Sequence, residues 1–334
     1  GDDHPVNPCQ ECALLGNPAT GNGVAGWKSK PPGTACVATY PIDGPGVCSA
    51  VPQGSPKDCI IDYATSIEVG IGGWMGCPQC LPGDIGAGPQ HYVEVKPFAM
   101  DALEVSADLY AICIKAGGCE YQPSADLKGD KGLCSIHIDT TGGGTAYKLK
   151  DAYLPMNCVS RDEAKQFCEW RGKILCSEAQ WERAAVGSCV MQGIPEDACL
   201  KSSDTFKVPV YPWGVTWQFA ELSPPMCDQA NTQGCESEQV LPILGADGPA
   251  FGESLFYPVW GLSGNVAEWV QDSYFGSYKD APDNGTAWVD PLNPTGIVRG
   301  GGYEDPFPVF TTVYREPYPR DARSPNIGFR CCSK

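Results

Sequence analysis

A loop-rich, disulfide-stapled fold of a few helices and many short strands is what this sequence predicts, and three observations carry the reading. The chain of 334 residues holds 40 glycines and 31 prolines, so turns break it often. It holds 19 cysteines, far above ordinary usage, which points to an oxidising compartment and a disulfide framework. With 42% hydrophobic and 10% aromatic residues it still has enough apolar mass for a packed core, so it is neither disordered nor a helical bundle.

Residues 1–90 carry seven of the cysteines (9, 12, 36, 48, 59, 77 and 80), and only residues 59–63 and 67–71 form apolar runs. This stretch reads as a cysteine-rich extension that is stapled rather than packed, and a boundary is expected near 88–91, with a second domain over 91–334. In that domain Ser106 is placed to cap a helix whose Leu109, Ile112, Cys113 and Ala116 share a face, with Gly117 and Gly118 to end it. Ser160 followed by Glu163 is a capping box for a helix with Ala164, Phe167, Cys168 and Arg171 on one side. Ser177 with Gln180 opens a third helix that buries Trp181, Ala184 and Ala185 before Gly187. From about residue 205 onward, short apolar pieces such as 208–214 and 296–303 alternate with Gly and Pro, which predicts short strands joined by long ordered loops. No internal repeat and no low-complexity tract is present.

The formal charge of −17 excludes some classes of function. Such a field repels phosphate backbones and anionic lipid surfaces, and the 23 basic residues form no dense cluster, so neither nucleic-acid binding nor membrane association is expected. No apolar run reaches the roughly 18 residues of a membrane helix. With Gly at position 1 and no basic, apolar leader before it, the chain reads as a mature exported protein, secreted or displayed at a cell surface. An odd number of cysteines leaves at least one without an intrachain partner.

Several segments occur together in one order: residues 93–98 (Val-Glu-Val-Lys-Pro-Phe), 104–106 (Glu-Val-Ser), 154–160 (Leu-Pro-Met-Asn-Cys-Val-Ser), 164–173 (Ala-Lys-Gln-Phe-Cys-Glu-Trp-Arg-Gly-Lys), 177–185 (Ser-Glu-Ala-Gln-Trp-Glu-Arg-Ala-Ala), 211–214 (Tyr-Pro-Trp-Gly), 230–232 (Ala-Asn-Thr), 260–270 (Trp-Gly-Leu-Ser-Gly-Asn-Val-Ala-Glu-Trp-Val), 298–303 (Val-Arg-Gly-Gly-Gly-Tyr) and 327–331 (Ile-Gly-Phe-Arg-Cys). With them the sequence resembles the sulfatase-modifying-factor family, typified by the formylglycine-generating enzyme, over roughly residues 91–332. The resemblance implies an elaborated C-type-lectin-like α+β domain with little regular secondary structure. It also implies where the chemistry should lie. Formylglycine-generating enzymes carry two cysteines shortly after their Arg-Gly-Gly-Ser segment, and these bind Cu(I), a soft ion that prefers thiolates. Here Gly302 stands in the place of that Ser, Asp305 stands near the first of those cysteines, and residues 299–320 contain no cysteine, so copper is not expected.

The same resemblance implies calcium. Relatives bind it through the carbonyls at the positions of Gly264 and Val266 and the carboxylate at that of Glu268, an all-oxygen set suited to Ca²⁺. A side-chain oxygen often found at position 261 is missing here, because that residue is Gly261. The competing reading pairs Glu268 with Arg323 or Arg330. A second implied site uses the side chain of Asn231 and the carbonyl of Thr232. The resemblance further implies a Cys168–Cys331 disulfide, and Cys113–Cys119 and Cys227–Cys235 would close short loops. Adjacent residues on an extended strand point to opposite faces, so Cys331 and Cys332 need different partners, and the odd thiol is expected to be Cys332 or one of the seven cysteines of residues 1–90.

Other constellations read more simply. Residues 9–12 and 77–80 have Cys-x-x-Cys spacing, but a distant pair in an exported chain is better explained by disulfides than by zinc. His4, His91 and His137 fall in separate segments, Glu304, Asp305 and Glu316 form a loose acidic set, and residues 284–286 (Asn-Gly-Thr) match a glycosylation sequon. The sequence therefore predicts an exported binding or structural surface protein on a formylglycine-generating-enzyme-like scaffold, with a protein, peptide or glycan ligand or with self-assembly. The alternative is an extracytoplasmic metal-dependent oxidoreductase of the same family acting on a peptide or small molecule.

Overall fold

The computed structural model describes residues 72–77, 86–121, 133–139, 146–151, 153–201, 203, 206–216, 227–235, 237–245, 248–249 and 251–333, with the backbone of three short strands before them. The strands are β1 (Ala35–Val37), β2 (Pro45–Val47), β3 (Ala64–Ile67), β4 (Gly73–Met75), β5 (His91–Val93), β6 (Phe98–Asp101), β7 (Ile136–Asp139), β8 (Ala146–Leu149), β9 (Ile174–Leu175), β10 (Pro209–Tyr211), β11 (Gly214–Thr216), β12 (Leu244–Gly245), β13 (Gly248–Pro249), β14 (Ala267–Ser273), β15 (Thr295–Arg299), β16 (Glu316–Pro319), β17 (Ile327–Phe329) and β18 (Cys331–Cys332). Among the described residues the helices are α1 (Ala107–Lys115), α2 (Arg161–Trp170), α3 (Glu178–Val186) and α4 (Glu196–Cys199). The result is the α+β, loop-rich architecture that the sequence predicts.

The caps explain where the helices begin. Ser160 accepts from the Glu163 N–H while Glu163 reaches back to the Ser160 N–H, and Ser177 and Gln180 do the same for α3. Each box satisfies two backbone donors that a helix start otherwise leaves open. On α1 the buried residues are Ala107, Tyr110 and Cys113, with Leu109 and Ile112 only half-buried. The expected face is therefore rotated toward Tyr110, whose ring stacks on Phe167 of α2 at a centroid distance of 5.3 Å. An aromatic ring gains more by burial than an extra aliphatic side chain, and it sets the face.

Two four-stranded sheets organise the core. One has the order β16-β15-β14-β17, with β14 and β17 parallel, and the other has the order β3-β6-β18-β9. Strands β3 and β4 precede the expected boundary near 88–91, yet β3 pairs with β6 and β4 pairs with β5. Tyr110, Phe167, Trp269 and Phe329 pack between α1, α2 and the first sheet. Met100, Trp181, Val270 and Ile297 fill the space around α3.

Among the described residues six disulfides staple the fold: Cys113–Cys119, Cys134–Cys158, Cys168–Cys331, Cys176–Cys332, Cys189–Cys199 and Cys227–Cys235. The two cysteines of β18 do take different partners, Cys331 on α2 and Cys332 just ahead of α3. This removes Cys332 from the candidates for the odd thiol: one face of a two-residue strand meets α2 and the other meets the segment leading into α3. All twelve cysteines beyond residue 90 are thereby paired, and parity moves the odd one to the seven positions of residues 1–90, most of which, like His4, lie outside the described residues or their side chains.

Candidate functional site

The family's chemistry would sit where β15 ends. Gly300 and Gly301 have φ of +82° and +61°, and a Cβ on Gly300 would come within 2.7 Å of the Leu262 carbonyl, so only glycine lets the chain turn there. The turn delivers Gly302 against Asn326. A Cβ at 302 would overlap the Asn326 side-chain oxygen, which accepts from the Glu304 N–H at 3.1 Å. The Asn326 Nδ2 donates to Asp305 Oδ2 at 2.9 Å, and the Gly302 N–H donates to the same oxygen at 2.7 Å. Asn326 and Asp305 thus form a clamp over the backbone of residue 302, in space that a seryl hydroxyl would need. Burial pushes the Asp305 carboxyl up against the pull of those two donors, and burial together with Asp305 pushes Glu316 up to about 7. Among the described residues no three His, Cys, Asp or Glu side chains converge as a metal site, so Glu304, Asp305 and Glu316 do not form one.

The residues with implied calcium roles surround Asn265, a residue with φ of +62°. Its N–H donates to the Asn231 carbonyl at 2.7 Å, and its side chain bonds the backbone of Leu241 through both ends. The Gly264 N–H donates to Gly300 O at 3.0 Å, and Thr232 O accepts from the Cys235 N–H at 3.1 Å, while Val266 is buried beside Leu154, Val240 and Tyr303. Glu268 lies at the start of β14 with both oxygens engaged: Arg330 grips them at 2.6–3.0 Å and Trp181 Nε1 donates at 2.9 Å. Arg323 pairs instead with Glu163.

Two oxygens in this neighbourhood are buried without a partner, Glu104 Oε2 and Asn231 Oδ1. Glu104 belongs to the family-like segment 104–106, but that resemblance attached no role to it. It comes from the loop after β6, and its Oε2 would lie 2.7 Å from a Cβ at Gly261. Its carboxylate therefore fills the space that the missing side chain at 261 would occupy. Burial pushes the Glu104 carboxyl up to about 7, with Arg330 and Asn265 opposing and Glu268 adding to the rise.

A second buried charge cluster was also hidden in the sequence. Glu178 receives Arg315 at 2.7 and 2.9 Å and Arg299 at 2.6 Å, while Glu182 receives Arg299 at 2.7 Å. Burial works against the Glu178 carboxylate, yet Arg315 and Arg299 hold its pKa below the usual range, and both guanidiniums are held charged in return. Their i, i+4 spacing places Glu178 and Glu182 on one face of α3, but spacing alone does not say that the face is buried.

These features define a sulfatase-modifying-factor domain whose family active position is occupied by its own side chains. Residues 72–334 match the family model described as the sulfatase-modifying factor enzyme 1-like domain, and the chain belongs to that family. It is 26% identical over 275 residues to mouse (Mus musculus) inactive C-alpha-formylglycine-generating enzyme 2, covering 74% of this chain and 79% of the relative. It is also 26% identical over 289 residues to the formylglycine-generating enzyme of Streptomyces coelicolor, covering 74% and 82%. Among solved structures, PvdO from Pseudomonas aeruginosa superposes with a TM-score of 0.50 at 23% identity, covering 91% of this chain and 99% of that one. Treponema denticola variable protein 1 does so at 0.52 and 16%, covering 81% and 94%. Both likenesses speak to the fold alone.

Proposed function

We propose that this chain is an exported, disulfide-stapled binding or structural surface protein that uses the scaffold without formylglycine-generating activity. The observation that carries the reading is the clamp at Gly302: Asn326 and Asp305 fill the position of the family's hydroxyl, and the loop that follows supplies no thiolate for Cu(I). The twelve cysteines beyond residue 90 are held in disulfides, which removes them as soft ligands and suits a chain that persists outside the cytoplasm. Long loops on a rigid body are how binding proteins display contact residues. The test is incubation with a Cys-x-Pro-x-Arg peptide with and without Cu(I): no mass change is expected, and copper-dependent conversion to formylglycine overturns the reading. Stoichiometric copper or iron on the purified protein would favour the oxidoreductase instead.

Calcium belongs to the same proposal. The two orphaned oxygens support it, since Glu104 Oε2 replaces the side chain absent at Gly261 and Asn231 Oδ1 lies buried beside Asn265. Glu104, with the carbonyls of Gly264 and Val266, would hold the ion at the first site, and Asn231 with Thr232 at the second. At Glu268 the fit is weaker, because Arg330 already neutralises its charge. A bound ion would crosslink loops and remove the cost of burying an unpaired carboxylate.

A further inference from the structure

The turn over residues 252–259 is held on every side yet presents apolar surface to solvent. Ser254 Oγ donates to the Ala184 carbonyl of α3 at 2.8 Å, the Leu255 N–H to Pro212 O at 2.8 Å, and the Ser254 N–H to Val259 O at 2.8 Å. The Phe256 ring covers Gly187, where α3 ends: a Cβ there would lie 2.6 Å from the ring. With the backbone tied at these points, the Leu255 side chain projects outward and is 63% exposed. Beside the turn, Trp213 stacks on Tyr211 at a centroid distance of 5.1 Å, and Tyr211 stacks on Phe310 at 6.1 Å, so Trp213 is the outer member of a rigid aromatic row. Between them opens a groove of about 450 Å³ lined by Trp213, Glu253, Leu255, Phe256 and Pro258. Glu253 is exposed there and makes no ion pair among the described residues.

We propose that this groove binds a lysine or arginine side chain of an extended partner peptide, with the aliphatic stem against Leu255, Pro258 and Trp213 and the cationic head at Glu253. An apolar wall ending in one carboxylate matches the two-part chemistry of a basic side chain, which buries its stem and keeps its charge at the rim. A chain of net charge −17 adds a field that draws cationic partners in. Because the walls are preorganised, little ordering cost is left for binding. The proposal rests on the binding reading for its purpose but not for its test, since the groove can fail while the absence of formylglycine chemistry stands.

The experiment is calorimetric titration of the whole protein with the blocked peptide acetyl-Ala-Lys-Pro-Lys-Ala amide and its norleucine counterpart, which keeps the stems and lacks the charges. The lysine peptide is expected to bind about fivefold more tightly, the gain of one ordered surface ion pair. Glu253→Gln should erase that difference, Leu255→Ser should weaken both peptides, and Glu238→Gln, which removes the same charge at another exposed position, should change nothing. Equal affinity for the two peptides, or equal losses in Glu253→Gln and Glu238→Gln, would overturn the proposal, the latter by showing a diffuse charge effect. Binding of a neutral oligosaccharide in the groove that Glu253→Gln leaves intact would overturn it in favour of a glycan.

Discussion

Glu268 and Glu104 are buried within reach of the same guanidinium, and they are opposite cases. Glu268 is 1% exposed and accepts from Arg330 and Trp181 through both oxygens. Glu104 is 3% exposed, keeps one oxygen without a partner, and has its other oxygen only 3.3 Å from Asn265 Nδ2. The cost of removing a carboxylate from water is similar in the two places, so the difference lies in what meets it. A guanidinium fork returns much of that cost at Glu268, whereas at Glu104 the cheaper course is to hold a proton near neutral pH. The paired site is therefore a fixed part of the scaffold, and the unpaired one is where protons or a cation can still act.

The largest effect that separates them is expected from Arg330→Met, which leaves Glu268 buried and unpaired. Such a break should cost about 3–5 kcal/mol in denaturant unfolding, and pairing it with Glu268→Leu should recover most of the loss. A cost below about 1 kcal/mol for the single variant would show that Glu268 does not depend on Arg330.

Glu104→Gln should act in the other direction. The folded-state pKa is raised to about 7 from 4.5, so the acid contributes its full stability below pH 4.5 and loses it as pH rises to about 7. The variant, which never ionises, should match the wild type near pH 4 and become more stable by up to about 3 kcal/mol at pH 8 without calcium. Equal pH profiles for the two proteins would mean that Glu104 is solvated in solution.

Calcium sharpens the same contrast. At a hundredfold excess over Kd a single site adds about 2.7 kcal/mol, read as a rise in Tm at pH 7.5. Glu104→Gln should shrink the rise while leaving the Glu268–Arg330 pair whole, a cleaner separation than Glu268→Gln allows. An identical melt in calcium and in chelator would remove calcium from the account. The smallest effect is expected at a cap: Ser177→Ala should cost about 1 kcal/mol, because Ser177 serves both the Gln180 N–H and the Gly285 carbonyl.

Local chemistry made part of this legible. Capping boxes and the stop at Gly187 depend on residues three to ten apart, so α2 and α3 could be drawn from the sequence. The Gly302 substitution and the missing thiolates were equally plain, since an absent residue type needs no geometry to be noticed. The resemblance supplied one distant pair, Cys168–Cys331, and left Arg323 and Arg330 open for Glu268, but most contacts between residues far apart in the chain escaped. Asn326 reaches Asp305 across 21 residues and Arg315 reaches Glu178 across 137, with no short-range pattern to announce either. Charged residues on helices normally face solvent, so Glu178 and Glu182 gave no sign that α3 is buried all round.

The sequence by itself determined the family, the helix starts, the disulfide-rich and loop-rich character, and the absence of cysteine from residues 299–320. Those follow from residue identity and short spacing, which survive in an unfolded chain. Only the tertiary structure decided that Glu268 belongs to Arg330, that Cys332 belongs to Cys176, that β3 and β4 join sheets beyond the expected boundary, and that Glu104 fills the space beside Gly261. Each of these is a choice among several chemically equivalent partners, and the choice is made by which surfaces the packed core brings within a few ångströms.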